Sequence, residues 1–201
     1  PLPGAKTFSY KKANGMDLQL HAFFPRDWKP TDQRACVIFF HGGGWNGGHP
    51  RKFLPQCLHF AKRGMVAISA EYRTKSRGGG TPFNCVEDGK SAIRWVRANA
   101  KTLGVNPNQI VAAGGSAGGH VAASTAFVKD VQDPNDDKSV SATPNALVLY
   151  NPVIDTTQSG YGTKRLGDKA RVMSPAHNVY KGAPPSIVFH GTADRTTPFK
   201  N

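Results

Sequence analysis

One serine lies in a glycine-rich segment: Ser116 is the third residue of GGSAG, residues 114–118. A short apolar run precedes this segment, and small and apolar residues in a helix-like pattern follow it. A sharp turn between a strand and a helix exposes a serine hydroxyl, and neighbouring glycines let the two elements approach closely. The helix N-terminus also favours negative charge nearby. Because strand and helix flank the turn, the pattern predicts a nucleophilic serine rather than a simple connector or phosphate loop.

A second glycine cluster, HGGGW at residues 41–45, follows a buried apolar run. Consecutive glycines present backbone N–H groups without side-chain obstruction, which suits the stabilisation of a carbonyl oxygen that becomes negatively charged. Gly43 and Gly44 are the predicted donors, together with the N–H of Ala117 after the serine. Trp45 either lines a pocket for the acyl group or only packs against this loop, and the sequence favours neither role.

The segment HGTADRTTP contains a candidate acid, Asp194. A carboxylate there can accept the Nδ1–H of an imidazole and stabilise the imidazolium that forms when the serine attacks. The order serine, then acid, then histidine is the one expected when the serine lies on a strand-to-helix turn. Asp155, which follows another apolar run, is a second candidate acid, but the HGTAD context favours Asp194.

Apolar runs and helix-like patterns alternate along the chain, which predicts one α/β domain, residues 1–201, with a mostly parallel sheet covered by helices on both faces. Chemistry in such sheets occurs at the carboxyl ends of the strands. The predicted strands are 8–12 and 17–24 (a hairpin around an Asn-Gly turn), 35–40, 65–70, 110–113, 146–150 and 186–190, and the predicted helices are 51–63, 83–103 and 116–128.

These motifs together resemble the α/β-hydrolase superfamily, and more closely its HGGGW and GGSAGG esterase branch, which includes hormone-sensitive-lipase-like enzymes and bacterial acetylxylan and feruloyl esterases. The resemblance covers residues 8–201. It implies ester hydrolysis through an acyl-serine intermediate, with short-chain or aromatic acyl groups such as acetyl or feruloyl esters on plant polysaccharide, and neither a metal nor an organic cofactor. The stretch AEYR also resembles the family, and we expect Arg73 and Asp88 to form a structural ion pair.

The family's catalytic histidine follows one further strand after the acid. We therefore expect that this histidine, the last strand and the last helix are absent from the chain, with His177 as a weak local alternative. An unpaired strand at residues 186–190 would be a template for another chain. A second polypeptide, a segment swapped within a dimer, or residues missing from this sequence could supply the strand and the histidine.

Composition excludes several other classes of protein. Lys and Arg number 26 against 13 Asp and Glu, a net charge of +13, but the excess is diffuse and predicts a solvated surface rather than a nucleic-acid interface. No apolar run approaches the ~20 residues of a membrane span. The three cysteines form no CxxC motif and predict no zinc site, although a disulfide between Cys57 and Cys85 stays open. Because the chain begins with Pro1 we expect a trimmed or processed N-terminus, and secretion, periplasmic export and a cytoplasmic location all stay open.

Three further hypotheses concern function. Residues 151–184 are long enough to form a small lid, in which residues 160–162 are predicted to be mobile. A peptidase of the same fold would need a site for a charged chain terminus, and no acidic cluster near the motifs suggests one. A noncatalytic binding protein is the alternative if the histidine is truly absent.

Overall fold

A computed structural model describes residues 1–157 and 161–199. These residues contain one seven-stranded sheet, with β1 at Lys6–Ala13, β2 at Met16–Phe23, β3 at Arg34–Phe40, β4 at Val66–Ala70, β5 at Val105–Gly115, β6 at Ala146–Tyr150 and β7 at Ser186–Phe189. The strand order is β1-β2-β4-β3-β5-β6-β7. β2 pairs antiparallel with both β1 and β4, and the other pairs are parallel. The predicted hairpin and mostly parallel sheet are confirmed.

Five α-helices connect the strands within the described residues: α1 at Leu54–Lys62, α2 at Pro82–Ala98, α3 at Ala100–Leu103, α4 at Ala117–Phe127 and α5 at Thr163–Leu166. Short 3₁₀ helices lie at Pro50–Phe53, Gly167–Lys169 and Pro175–His177. The prediction of one helix over residues 83–103 was wrong, because Asn99 leaves helical geometry and its side-chain amide donates to the Trp95 carbonyl (2.8 Å). The predicted helix at residues 51–63 begins as a 3₁₀ helix, in which the Leu54 N–H donates to the Arg51 carbonyl, and Pro55 has no N–H to donate to that carbonyl.

Helices cover both faces of the sheet, as the alternation of side chains along β3 shows. Val37 and Phe39 pack on one face with residues of α1, whereas Ile38 and Phe40 pack on the other with residues of α2 and α4. Successive residues of a strand point to opposite faces, so a strand covered on both sides is apolar throughout. The predicted α/β architecture with two covered faces is confirmed.

β5 is longer than its sequence pattern predicts. The apolar pattern marked only residues 110–113, but pairing with β3 begins at Val105 opposite Arg34 and resumes, after an irregularity, at Ile110 opposite Cys36. The polar residues between these two points have no apolar alternation to identify them. The strand ends at Gly115, immediately before the serine turn.

Two further predictions concern cysteines and the membrane. The cysteines at positions 36, 57 and 85 all lie within the described residues and are buried free thiols, so the Cys57–Cys85 disulfide is not formed. Among the described residues, no helix combines the length and apolar character needed to cross a bilayer.

A buried ion network joins the N-terminal hairpin to the helical layer. The Arg73 guanidinium donates to both carboxylate oxygens of Asp88 at 2.8 and 2.7 Å, which confirms the predicted pair. Lys11 reaches the same carboxylate at 2.8 Å and Asp133 at 2.6 Å. Because Asp88 is fully buried at the centre of this network, removing its charge leaves two cations without their shared partner.

We predict that Asp88→Asn destabilises the fold by about 3–5 kcal/mol, the loss typical of breaking a buried ion pair. Urea unfolding followed by circular dichroism measures this change. The control is Asp27→Asn, which removes the exposed partner of Arg34 and should leave the unfolding midpoint nearly unchanged. Equal midpoints for wild type and Asp88→Asn would show that the network does not stabilise the fold.

Candidate active site

The backbone turns sharply at Ser116, between the end of β5 and the start of α4. Ser116 has a φ of +55°, which a non-glycine residue rarely adopts. Its N–H donates to the Tyr150 carbonyl (3.0 Å), and its carbonyl accepts from His120 (3.1 Å) and Val153 (3.2 Å). Strain of this kind typically costs ~1–3 kcal/mol and persists only where the surroundings hold it. These three hydrogen bonds hold the turn and keep Ser116 at its tip.

Two glycines allow the turn to pack closely. A Cβ added to Gly118 would lie 2.1 Å from the Phe40 carbonyl oxygen and 2.4 Å from that of His41. A Cβ added to Gly114 would lie 2.2 Å from the Gly118 carbonyl oxygen. No side chain fits at these distances, so Gly118 allows the end of β3 to approach α4, and Gly114 allows the end of β5 to do so.

The HGGGW loop lies beside the serine turn. A Cβ built on Gly42 would be 3.3 Å from the Cβ of Ser116. Gly43 and Gly44 have φ values of +141° and +58°, which only glycine adopts readily. Among the described residues, the N–H groups of Gly43, Gly44 and Ala117 have no acceptor. An unpaired set of donors next to a serine is the arrangement that an oxyanion hole requires.

The chain after β4 holds this loop in place. The Tyr72 hydroxyl donates to the His41 carbonyl, and its ring stacks on the His41 ring with centroids 4.4 Å apart. The N–H groups of Lys75 and Ser76 donate to the next part of the loop, at the carbonyls of Trp45 (3.0 Å) and residue 46 (2.7 Å). Sequence reasoning did not identify Tyr72 as a functional residue, although it lies in the AEYR stretch at the end of a strand.

Trp45 packs the loop rather than presenting an exposed surface. It is 1% exposed, with its ring 5.1 Å from that of His120 and 5.5 Å from that of Tyr161. Its φ of +57° is strained for a bulky residue. Of the two roles that the sequence left open, these contacts favour packing.

Asp194 lies in the loop that follows β7. Its Oδ1 accepts the N–H groups of Thr196 (2.8 Å) and Thr197 (2.9 Å), and these hydrogen bonds lower the pKa of the carboxyl below its ordinary value. The Thr197 hydroxyl also donates to the Asn151 carbonyl (3.2 Å). Residue 151 follows Tyr150, whose carbonyl accepts from the Ser116 N–H, so the Asp194 loop and the serine turn attach to adjacent residues of one strand end.

The other candidate acid, Asp155, belongs to a separate cluster. Thr157 donates to it through its N–H (2.7 Å) and its hydroxyl (2.6 Å). Burial raises the pKa of this carboxyl, but the bonds from Thr157 outweigh burial and leave the pKa below its ordinary value. His177 lies 3.8 Å from Asp155, and its Nδ1 hydrogen-bonds the buried Ser174 hydroxyl (2.9 Å). The structure therefore brings His177 to Asp155 rather than to Ser116.

No histidine side chain of the described residues hydrogen-bonds to the Ser116 hydroxyl, although all seven histidines lie within those residues. His190 donates to the Thr197 carbonyl (2.6 Å) and lies 3.9 Å from Asp194, so it holds the Asp194 loop. His120 is buried and directs Nε2 to the Met173 carbonyl (2.8 Å). The remaining histidines lie in the HGGGW loop, the first hairpin, a loop before α1 and α1 itself, at positions 41, 21, 49 and 59.

Comparison with known proteins agrees with this geometry. The BD-FAE family model matches residues 23–201. The chain belongs to the BD-FAE family. It is also similar to esterase 2 of Thermogutta terrifontis: a structure of that enzyme phosphoramylated by tabun has a TM-score of 0.95 and 50% sequence identity, covering 100% of this chain and 76% of that chain. The α/β-hydrolase fold and the likeness to esterases expected from the motifs are confirmed.

Two curated relatives match this BD-FAE chain less closely. Carboxylesterase NlhH of Mycobacterium tuberculosis is 34% identical over 112 residues, which are 53% of this chain and 34% of NlhH. Endo-1,4-beta-xylanase B of Butyrivibrio fibrisolvens is 26% identical over 206 residues, which are 96% of this chain and 32% of the xylanase. The chain thus spans about a third of the length of these two relatives.

The BD-FAE chain offers no evident metal centre in the region that the structure describes, where no group of three or more His, Cys, Asp or Glu side chains could hold an ion. Two contacts of the site were not predicted from the sequence: Tyr161 against Trp45, and the Arg165 guanidinium on the Gly44 carbonyl. Neither residue lies in a motif. Residue 160, where the predicted mobile stretch begins, lies outside the described residues.

We predict that stability falls as the pH decreases from about 6.5 to about 4. Burial lowers the pKa of His41 and of His120 to about 4, against ~6.5 in an unfolded chain. Between these values the unfolded chain binds more protons than the folded chain, so each histidine lowers the free energy of unfolding by up to ~1.4 kcal/mol per pH unit of acidification.

Urea unfolding at pH 7, 6 and 5 measures this slope. His120→Gln, which retains a donor for the Met173 carbonyl, should reduce the slope, whereas the exposed His59→Gln should leave it as in wild type. Identical slopes in all three proteins would contradict a neutral buried His120.

Proposed function

We propose that the complete protein is a serine carboxylic-ester hydrolase with Ser116 as the nucleophile. The observation that carries this proposal is the strained turn at Ser116, next to three backbone N–H groups that lack acceptors among the described residues. Strain at a tightly packed turn, at a half-buried serine beside these donors, supports a functional role for the serine hydroxyl.

The proposed reaction has two halves. The Ser116 hydroxyl attacks the ester carbonyl while a base takes its proton, and the N–H groups of Gly43, Gly44 and Ala117 bind the oxyanion. The base then protonates the leaving alcohol, and an acyl-serine remains. Water attacks this acyl group by the same route, which releases the carboxylic acid and returns the proton to Ser116. Asp194 holds the base in its tautomer and stabilises its charged form.

The base is proposed to come from outside the described residues, because none of their histidine side chains hydrogen-bonds to the Ser116 hydroxyl. β7 offers the place for it: in the described part of the chain it pairs only with β6, and Ile187, Val188 and Phe189 are about half exposed. A further strand paired with this edge would cover these side chains and bring its own loop beside that of Asp194. Further residues of the same polypeptide, a segment swapped within a dimer, or a second chain could supply this strand.

Short-chain acyl esters are the proposed substrates. Support comes from the Thermogutta terrifontis esterase, which has been solved with propionate and with butyrate bound and shares 49% and 48% identity with this chain. Acetyl or feruloyl groups on plant polysaccharide are the proposed natural esters, and the likeness to a xylanase gives this finer proposal its support.

We expect Ser116→Ala to lower the turnover of p-nitrophenyl acetate by the complete natural polypeptide at least ~10³-fold, since the covalent step is lost. Intact mass spectrometry after treatment with a fluorophosphonate should show one adduct on wild type and none on this variant. Ser9→Ala, at an exposed strand position, is the control and should behave as wild type. Activity that persists in Ser116→Ala would overturn the nucleophile, and inactive, unlabelled wild type would favour a noncatalytic binding protein.

The substrate proposal predicts that kcat/KM for p-nitrophenyl esters falls as the acyl chain lengthens beyond butyrate. Release of acetate from acetylated xylan and of ferulate from feruloylated arabinoxylan, measured by chromatography, separates the two carbohydrate esters. A preference for octanoate or longer chains would contradict a short-chain acyl site. Faster cleavage of peptide anilides than of esters would favour a peptidase.

A further inference from the structure

We infer that residues 161–166, here called the strap, position the oxyanion loop, with Arg165 as the positioning residue that acts on Gly44. This inference rests on the proposed function, in which the Gly44 N–H binds the oxyanion. The strap is distant from the loop in sequence, and it reaches the loop through three separate contacts.

The first contact restrains the Gly44 backbone directly. The Arg165 guanidinium donates to the Gly44 carbonyl through Nη1. Gly44 has a φ of +58° and no side chain to limit its rotation, and glycine is the residue with the most backbone freedom. A donor on the Gly44 carbonyl restrains the peptide plane between Gly44 and Trp45. This restraint limits rotation about the two backbone bonds that join that plane to the Gly44 N–H.

The second contact packs the Tyr161 side chain against Gly44. A Cβ built on Gly44 would lie 2.7 Å from the Tyr161 hydroxyl oxygen, so this hydroxyl closes the space beside the Gly44 Cα. The Tyr161 ring packs against Trp45, the next residue of the loop, with centroids 5.5 Å apart. Tyr161 therefore contacts two successive residues of the loop.

The third contact requires a glycine in the strap. Gly162 has a φ of +93°, and a Cβ added there would lie 2.5 Å from Cζ3 of the Trp45 indole. The strap can approach the indole this closely only because residue 162 has no side chain. Trp45 itself is strained and buried, so its position depends on what packs against it.

The strap is anchored to the helix that begins after the serine. Leu166 is 4% exposed and packs in a cluster with Met173 and with Val86 and Val128 from α2 and the end of α4. The Met173 carbonyl accepts from His120 of α4. Because α4 begins directly after Ser116, the strap connects the oxyanion loop to the helix that follows the nucleophile.

This arrangement predicts a specific kinetic effect. Oxyanion contacts strengthen as the carbonyl oxygen becomes charged, so a misplaced donor lowers kcat more than it raises KM. Loss of one whole donor typically costs 10²–10³-fold in kcat. Loss of Arg165 leaves the donor in place but less restrained, and we expect a fall in kcat of roughly tenfold.

The test compares Arg165→Met, Arg165→Lys and the control Lys164→Met in the complete natural polypeptide. Lys164 is the exposed neighbour of Arg165, and the described residues contain no hydrogen-bond or ion-pair partner for it. Two readouts are measured: kcat and KM for p-nitrophenyl butyrate, and amide hydrogen exchange of a peptide that covers residues 41–48. The exchange readout does not depend on activity.

We expect Arg165→Met to accelerate exchange in residues 41–48 and to lower kcat roughly tenfold with little change in KM, Arg165→Lys to restore part of both, and Lys164→Met to match wild type. Unchanged exchange in Arg165→Met, or equal effects in Lys164→Met, would overturn the inference that the strap positions the oxyanion loop. Faster exchange in Arg165→Met combined with an inactive wild type would instead refute the proposed function while the contact stands.

Discussion

The backbone of Ser116 is the constraint from which the rest of the site follows. A φ of +55° at a non-glycine residue is tolerated only where the neighbouring chain over-determines it. Here the end of β5, the start of α4 and the end of β3 meet within van der Waals distance, because Gly114 and Gly118 have no side chains. The same contact between β3 and α4 sets the HGGGW loop beside the serine.

The HGGGW loop is the part of this arrangement that restricts its own backbone least. Its glycines expose N–H groups and for the same reason do not restrict their own backbone. Restraint comes from outside: Tyr72 and the residues after β4 hold one side, and Trp45 anchors the loop in the core. Residues 161–166 contact its other side. A loop built on flexible residues thus depends on contacts from residues that lie far away in sequence.

The fold was largely predictable because its strongest signals are local. Apolar runs identified the buried strands, and β6 was predicted at its observed bounds, Ala146–Tyr150. The failures occurred where tertiary contacts override local pattern. The polar start of β5 joins the sheet only because β3 is there to pair with it. The helix predicted over residues 83–103 breaks at Asn99, where a side chain competes for a backbone carbonyl.

The sequence by itself determined the serine turn, the glycine loop and the family that these motifs resemble, since each motif is short and its conformation depends on adjacent residues. It also predicted the Asp194 segment as the source of an acid. Only the tertiary structure decided that Trp45 packs the loop, that His177 lies beside Asp155, and that the strap contacts Gly44. The physical reason is distance along the chain. These contacts join segments that are up to about 120 residues apart, and they form only once the sheet has brought the strand ends together.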